Sequence, residues 1–325
     1  MLYRKIPHTD LTVSQIVLGT ADYGAGLTEE GALSQLDRFT ALGGTFIDTA
    51  HCYCDWIPGE RSRSEKIIGK WMHSRGERDR VVIATKGGIT IQETGEIDID
   101  LSEKALNREI DDSLRNLCTD HIDIYWLHRD IRKIPVTELL SILDRRVRSG
   151  DIRYIGCSNW KTDRIAEANK AAVENGLSPF IASQMEWSLA RMYAQNKPFD
   201  PLLICMDDAM MAFHRETGFP AVAYTSQARG FFAKLASKGE SGLSEQLKSN
   251  LLNDASRQCL RRIQKLSRVT GLNTTEITVA YITSQVDFPG FPIVASSKPE
   301  QFEVTMGARD CRLTRDQLNY LTADL

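Results

Sequence analysis

FIDTAHCY, at residues 46–53, is the stretch from which the architecture of this chain can be worked out. It begins as a short apolar run of the kind that forms a buried strand, and the run ends at an acidic residue, Asp48. Tyr53 follows five residues later. A buried run that ends in a carboxylate is poor packing. The pattern therefore predicts a strand whose C-terminal end opens onto a functional site.

The same kind of strand recurs along the chain in regular alternation with helices. Eight short β-prone runs occur at residues 16–18, 45–47, 81–84, 122–127, 154–156, 181–183, 221–223 and 291–294. Segments with helical periodicity lie at residues 28–42, 63–74, 102–117, 135–149, 161–175, 200–217 and 255–286. Strict alternation predicts parallel strands joined by right-handed crossovers. Eight such units in about 300 residues predict an α/β fold, the closed (β/α)8 TIM barrel.

The ends of the chain and of its elements carry further signals. The first fourteen residues contain two short apolar pieces around a turn, which predicts an N-terminal β-hairpin that caps the barrel. Thr28 and Ser102 are predicted N-caps, and Gly150 and Gly176 are predicted C-caps. The polar segment 231–254 is expected to be a long loop.

A doubly wound sheet is the alternative architecture. It would usually place a Gly-x-Gly-x-x-Gly turn after its first strand, whereas residues 24–26 read Gly-Ala-Gly with no third glycine at the required position. No stretch has the composition of a domain linker. We therefore expect one domain over residues 1–325.

Composition excludes several classes of function. The chain has 40 basic and 43 acidic residues, a net charge of −3, so the charge pattern of a nucleic-acid-binding protein is absent. No stretch approaches the roughly 20 apolar residues of a membrane span, and we expect a soluble cytoplasmic protein. The seven cysteines are odd in number and scattered, which favours reduced thiols. Cys52 and Cys54 lie beside His51, but no second Cys/His pair at zinc spacing completes a site, so no metal is predicted.

The residues that follow the strands are mostly polar or ionisable. In a barrel these positions gather at the functional end. Taken one at a time, an Asp at a strand end caps a loop, a lysine extends to solvent, and a histidine beside a tryptophan belongs to the core. Four titratable side chains that arise on or just after three consecutive strands are better explained as a catalytic site. These four are Asp48, Tyr53, Lys86 and His128.

These four residue types together suit the chemistry of a carbonyl group. Tyrosine is a poor acid at neutral pH, and a nearby lysine ammonium favours the phenolate, which would lower the pKa of Tyr53 before desolvation is subtracted. Asp48 would keep Lys86 charged and in position. His128 would bind the same substrate oxygen as Tyr53. The set predicts a pocket that donates a proton and stabilises an oxyanion.

Such a pocket needs a source of hydride, and the remaining strand ends suit one. Ser158, Asn159 and Gln184 offer donors and acceptors for a nicotinamide carboxamide, and Tyr224 could stack on its ring. Residues 295–300, Ala-Ser-Ser-Lys-Pro-Glu, combine hydroxyls, an amine and the start of a helix. That combination predicts a phosphate site.

The motifs resemble those of the aldo-keto reductase superfamily, in order and over nearly the whole chain. They are Gly-Thr at 19–20, Phe-Ile-Asp-Thr-Ala-x-x-Tyr at 46–53, Ala-Thr-Lys at 84–86, Asp-Ile-Tyr-Trp-Leu-His at 123–128, Gly-Cys-Ser-Asn at 156–159 and Ser-Ser-Lys-Pro-Glu-Gln at 296–301. The resemblance implies a TIM barrel with an N-terminal hairpin that binds extended NADPH without a Rossmann unit. It also implies that Tyr53 is the general acid, Lys86 and Asp48 tune it, and His128 orients the substrate.

The cofactor positions depart from the family pattern in places. Thr225 and Ser226 follow the stacking aromatic where many members have Ser-Pro-Leu, and Gln301 stands where some members use an arginine on the 2′-phosphate. Lys298 and Arg229 are the candidate phosphate cations. NADPH is the expected cofactor, with NADH as the alternative. The loop 231–254 is expected to fold over the pyrophosphate of this cofactor. The predicted cofactor residues are Gly19, Thr20, Asp48, Ser158, Asn159, Gln184, Tyr224, Thr225, Ser226, Arg229, Ser296, Ser297, Lys298 and Gln301.

The substrate is predicted to be a small carbonyl compound or alcohol, with no nucleic-acid or membrane partner. Arg129 is expected to contact an anionic or polyhydroxylated substrate, while tryptophans stack on a sugar-like face. The alternative for Arg129 is an ion pair with Asp130. The predicted rim of the pocket consists of Tyr23, Trp56, Arg129, Trp160 and Trp187.

Three other functions compete with carbonyl reduction. Lys86 at a strand end suits a Schiff-base lyase such as an aldolase, although an imine-forming lysine must be neutral. A non-catalytic nicotinamide-binding sensor subunit would carry the same residues. A metal-dependent hydrolase is disfavoured because no His-x-His follows the first strand.

Overall fold

The N-terminal hairpin and the barrel are both present in a computed structural model, which describes residues 1–92, 94–190 and 202–323. Strands β1 (Tyr3–Lys5) and β2 (Thr12–Ser14) pair antiparallel, with Tyr3 opposite Ser14. The predicted hairpin is therefore confirmed.

Eight strands close into the predicted barrel. They are β3 (Val17–Gly19), β4 (Phe46–Asp48), β5 (Val82–Gly87), β8 (Ile122–Leu127), β9 (Ile152–Ser158), β10 (Phe180–Glu186), β11 (Ala221–Tyr224) and β12 (Gly290–Val294), arranged around the barrel in chain order. The registers from β3 to β9 and from β11 to β12 are parallel. A second antiparallel hairpin, β6 (Ile89–Ile91) and β7 (Ile97–Ile99), follows β5 and was not predicted.

Twelve α-helices lie in the described part of the chain. They are α1 (Glu29–Ala41), α2 (Arg63–Arg75), α3 (Glu103–Asn116), α4 (Val136–Ser149), α5 (Thr162–Asn175), α6 (Asp208–Thr217), α7 (Phe231–Lys238), α8 (Glu245–Leu251), α9 (Asp254–Thr270), α10 (Thr274–Thr283), α11 (Pro299–Met306) and α12 (Arg315–Thr322). None of the described helices is long and apolar enough to cross a membrane.

Local signals set most of the helix boundaries. The Thr28 side chain accepts a hydrogen bond from the Gly31 amide, and Ser102 caps α3 in the same way. Gly150 and Gly176 end α4 and α5 in left-handed conformations, with φ of 89° and 61°. A side chain with a Cβ adopts this conformation only with strain, so both C-caps are confirmed.

Two expectations about helices were wrong, those for residues 231–254 and for the start of the segment 200–217. The segment 231–254 is not an open loop, because α7 and α8 occupy most of it, with Leu247 and Leu251 of α8 buried one turn apart. The region 255–286 is helical, as predicted, and consists of α9 and α10, with Gly271 ending α9 at a φ of 77°. The segment 200–217 begins outside the described residues, and within them α6 starts at Asp208.

Two compact units divide the chain, the first spanning Tyr3–Ser183 and the second beginning at Gln184. In the first, Phe46, Trp71 and Trp126 are fully buried. In the second, Trp187, Phe231 and Phe288 belong to one hydrophobic cluster. The single domain over residues 1–325 stays a prediction.

A buried carboxylate, Asp123, ties strands and hairpin together in the first unit. Its Oδ2 accepts hydrogen bonds from the Ile83 amide at 2.9 Å and lies 3.0 Å from Arg78. Its Oδ1 accepts from Arg153 at 2.6 Å, and Arg153 also donates to Asp10 in the turn of the β1–β2 hairpin. Asp123 lies at the start of β8, the end of the barrel where side chains serve stability.

Candidate active site

Three neighbouring strands bring the predicted catalytic side chains to one end of the barrel. Asp48 is the last residue of β4, Lys86 lies one residue before the end of β5, and His128 directly follows β8. The three strands are parallel, so their C-terminal ends lie on the same side. Tyr53 comes from the loop after β4.

Lys86 is the centre of the cluster. Its side chain is 1% exposed, and its Nζ donates to the Asp48 carboxylate, to the Thr49 carbonyl at 2.7 Å and to the Tyr53 hydroxyl at 2.9 Å. An ammonium has three N–H groups, and these acceptors use all three. Burial by itself lowers the pKa of Lys86, but Asp48 and Tyr53 outweigh it and raise that pKa. Lys86 is therefore charged at neutral pH.

Tyr53 is half-buried beside this ammonium, which lies 4.6 Å from the centre of its ring. Burial raises the pKa of Tyr53 and outweighs the opposing effect of Lys86. The charge of Lys86 alone would lower the pKa of Tyr53, as the sequence predicted before desolvation was considered, but in the folded protein desolvation of the phenolate is the larger effect. Tyr53 thus keeps its proton at neutral pH.

His128 is a neutral imidazole beside Tyr53. The pKa of His128 lies well below its usual value. Burial is the largest cause, and the positive charges of Lys86 and Arg129 lower this pKa further. The two rings meet edge-on with centroids 6.2 Å apart. The Nδ1 atom of His128 lies 3.8 Å from the Cys52 sulfur.

Asn159 and Thr20 support this cluster through the backbone. Asn159 adopts a left-handed φ of 62°, and its side-chain amide donates to the Ser158 hydroxyl at 3.0 Å and the His128 carbonyl at 3.3 Å. The Thr20 hydroxyl donates to the Asp48 carbonyl at 3.0 Å. Gly19 lies opposite Asp48 in the β3–β4 register. The first unit therefore brings together all four predicted catalytic residues and part of the predicted cofactor set.

The second unit carries the other predicted cofactor residues at the ends of its strands. Gln184 is buried within β10, and Tyr224 is the last residue of β11 and half-buried. Thr225 donates to the Glu186 carboxylate at 3.2 Å, and Ser226 donates to the Ile293 carbonyl at 2.5 Å.

The proposed phosphate cations are exposed in this unit. Lys298 occupies the N-cap of α11, and Arg229 sits in a left-handed turn after β11. Gln227 donates to Thr305 of α11 at 3.1 Å, which ties the loop after β11 to this helix. Ser296 is half-buried, and Ser297 and Gln301 are exposed. Phosphate binding here stays a prediction.

The predicted substrate residues have different environments. Tyr23 is buried and its hydroxyl donates to Gln35 of α1 at 3.0 Å. Trp56 is 41% exposed on the loop after β4. Trp187 is buried against Tyr281 and Phe288 in the second unit, where it takes part in core packing.

Arg129 and Trp160 are buried next to His128. Arg129 donates to the His128 carbonyl at 2.9 Å, and Trp160 donates to the Arg129 carbonyl at 3.2 Å. The carboxylate of Asp130, the partner considered for Arg129, pairs with Arg164 at 3.3 Å.

Two contributors to the site were missed by the sequence analysis. The Thr49 carbonyl accepts from Lys86, and a backbone acceptor carries no sequence signal. Cys52 was considered only as a metal ligand, yet it contacts His128. Within residues 1–92, 94–190 and 202–323, no group of three or more His, Cys, Asp or Glu side chains is placed to hold a metal ion.

Comparison with known proteins gives consistent matches. The model of the aldo/keto reductase family matches residues 15–324. Aryl-alcohol dehydrogenase [NADP(+)] of Phanerodontia chrysosporium is 27% identical over 97% of this chain and 83% of its own length. Norsolorinic acid reductase B of Dothistroma septosporum is 28% identical over 99% and 81%. The uncharacterized oxidoreductase YrpG of Bacillus subtilis is 28% identical over 99% and 95%.

Proposed function

The chain belongs to the aldo/keto reductase family, and on that premise we propose that it interconverts a carbonyl compound and its alcohol, with NADPH as cofactor and Tyr53 as general acid and base. Its relatives are named as oxidoreductases, which agrees with this class of reaction.

The hydrogen bond from Lys86 to the Tyr53 oxygen carries the proposal. Because the ammonium is the donor, the proton of Tyr53 is left for another acceptor, and a substrate carbonyl oxygen would be that acceptor. Neutral His128 supplies a second donor from the side. General acid catalysis of this kind contributes roughly 10²- to 10⁴-fold to the rate.

The donors of the chain suit a nicotinamide cofactor. A bound nicotinamide supplies the hydride. Ser158 and Asn159 in the first unit have the hydroxyl and amide groups that a carboxamide needs, and Gln184 in the second unit carries a further amide. The exposed charges of Arg229 and Lys298 and the free amides at the start of α11 suit phosphates. The name of the NADP(+) relative supports NADPH over NADH.

The substrate class is proposed from Arg129. Its guanidinium is close enough to His128 to lower the pKa of that imidazole, so its charge acts within the catalytic cluster. We expect a preference for carbonyl compounds that carry an anionic or polyhydroxylated group. Aromatic carbonyl compounds are the second candidate, favoured by the name of the aryl-alcohol dehydrogenase of Phanerodontia chrysosporium.

The charge state of Lys86 argues against a Schiff-base lyase. Its pKa is raised and its three N–H groups are occupied, whereas an amine that attacks a carbonyl must be neutral with a free lone pair. A non-catalytic nicotinamide sensor would bind NADPH without turnover, so activity measurements separate it from the enzyme.

Cofactor fluorescence followed by a substrate panel tests the proposal. NADPH and NADH are titrated into the protein, and sugars, sugar acids and aryl aldehydes are then added while NADPH oxidation is followed. We expect NADPH binding with turnover, faster for sugar acids than for aryl aldehydes. Binding without turnover of any carbonyl compound would contradict the enzyme and favour the sensor.

The preference for NADPH over NADH is tested with a separate variant. Lys298→Ala should weaken NADPH binding by about tenfold, equivalent to about 1.4 kcal/mol, and leave NADH binding almost unchanged. Lys170→Ala, at an exposed lysine of α5, is the matched control. Equal Kd values for the two cofactors in both wild type and Lys298→Ala would refute the role of Lys298.

A further inference from the structure

Cys52 is a buried residue of the loop after β4 and directly precedes Tyr53. It is 3% exposed and forms a small hydrophobic cluster with Ala50 and Ile89. Its sulfur lies 3.8 Å from Nδ1 of His128, within the range of a hydrogen bond to sulfur. Cys52 therefore contacts Nδ1 of the His128 imidazole.

Both partners are neutral. Burial, with a smaller contribution from Asp55, raises the pKa of the Cys52 thiol to about 12. The pKa of His128 lies well below its usual value. The pair therefore has one S–H and one ring N–H at neutral pH. Either the thiol donates to Nδ1 and the ring proton is on Nε2, or Nδ1 donates to the sulfur and Nε2 carries the lone pair.

The first arrangement is chemically better. An unprotonated imidazole nitrogen is a good acceptor, whereas a thiol sulfur is a weak one. In the second arrangement the hydrogen bond goes to the Cys52 sulfur, which is a weak acceptor. The lone pair of the imidazole is then on Nε2 and no longer accepts from the buried thiol. Which ring nitrogen of a histidine carries the proton is set by the hydrogen bond that the other ring nitrogen makes.

We propose that Cys52 is a positioning residue that donates its S–H to Nδ1 of His128 and so keeps the ring proton on Nε2. The catalytic consequence rests on the proposed function. With the proton on Nε2, His128 and Tyr53 are both donors to one substrate oxygen, as stabilisation of an oxyanion requires. With the lone pair on Nε2, His128 would accept the proton of Tyr53 and compete with the substrate for it.

The tautomer is measured directly by ¹⁵N NMR of the histidine side chains in the NADPH-bound protein, with the His128 signals assigned by their loss in His128→Gln. Wild type should show protonated Nε2 and unprotonated Nδ1. Cys52→Val, which keeps an apolar side chain and removes the donor, should shift the tautomer equilibrium towards Nδ1–H. Cys52→Ser, which restores an O–H donor, should return it towards Nε2–H.

Cys54→Ala is the matched control, because it removes a buried thiol two residues away whose sulfur donates to the Ala21 and Tyr23 carbonyls. Its His128 signals should equal those of wild type. A wild-type protein with the proton on Nδ1, or the same tautomer in wild type and Cys52→Val, would overturn the proposal.

Kinetics give a second readout. Cys52→Val should lower kcat/KM for the carbonyl substrate by about five- to tenfold, the loss expected for one hydrogen bond, with the Kd for NADPH unchanged. Cys52→Ser should recover most of it. Equal kcat/KM in Cys52→Val and wild type would overturn the link to catalysis. If no carbonyl compound were turned over, the proposed function would fail, while the NMR result would still decide the tautomer.

Discussion

Lys86 holds its ammonium nitrogen 2.9 Å from the hydroxyl oxygen of Tyr53, and Lys86 is the donor in this hydrogen bond. An ammonium has no lone pair, so Tyr53 cannot donate to it. The Asp48 carboxylate and the Thr49 carbonyl occupy the other two N–H groups. The Tyr53 proton must therefore point to a different acceptor.

The first prediction follows from that free proton. Tyr53→Phe should lower kcat for carbonyl reduction by about 10²- to 10⁴-fold because the general acid is lost, while NADPH binding stays the same. Steady-state kinetics and cofactor fluorescence measure the two effects. Tyr154→Phe is the control, since the Tyr154 hydroxyl bonds Asp10 in the N-terminal hairpin. A fully active Tyr53→Phe would show that another group donates the proton.

The second prediction concerns pH. The pKa of Tyr53 is raised by burial, so the protonated form that reduction needs persists through neutral pH. The rate of reduction should be flat there and decline only above about pH 10, while alcohol oxidation rises with pH. Rate profiles in both directions measure this. If the rate of reduction declined around neutral pH, the effect of Lys86 on the pKa of Tyr53 would be larger than the effect of burial.

The same residues govern stability at alkaline pH. The folded-state pKa values of Lys86 and Tyr53 both lie above their usual values. Their contribution to the free energy of unfolding is therefore complete below about pH 10 and is lost as the pH rises through the folded-state values. Urea unfolding at a series of pH values should show this loss. The free energy of unfolding of Tyr53→Phe should fall less over the same pH range.

The third prediction concerns the buried ion pair. Lys86→Met removes the partner of a buried carboxylate and should lower the free energy of unfolding by about 3–5 kcal/mol. Adding Asp48→Asn removes the remaining charge and should recover much of this loss. Strictly additive effects of the two substitutions would contradict the pairing. Lys170→Met, at a lysine whose side chain is 77% exposed, should change stability little.

The fourth prediction separates stability from catalysis. Asp123→Ala leaves Arg78, Arg153 and the Ile83 amide without their shared acceptor, and it should cost about 3–5 kcal/mol of unfolding free energy. Asp123 lies at the opposite end of β8 from His128, so kcat and KM at low temperature should match wild type. Asp163→Ala, at an exposed ion pair with Arg132, is the control. A large loss of kcat without loss of stability would give Asp123 a different role.

Much of the fold was predictable because its signals are local. Strand periodicity, hydroxyl N-caps and glycine C-caps depend on residues close in the chain, and they set the barrel, its hairpin and most helix ends. The helices α7 and α8 were missed because their segment is polar and contains glycines, and their few apolar residues become a pattern only against the second unit's core. The β6–β7 hairpin was missed because its strands have three residues each.

The sequence by itself determined which side chains gather in the site, because the C-terminal ends of parallel strands meet at one end of a barrel. Asp48, Lys86 and His128 could be named from their positions after apolar runs. Only the tertiary structure decided how these groups ionise and which atoms they contact. The pKa of Tyr53 depends on burial against the charge of Lys86, and the contact of Cys52 with His128 joins residues 76 positions apart. Both depend on distances between strands and loops, which no local pattern encodes.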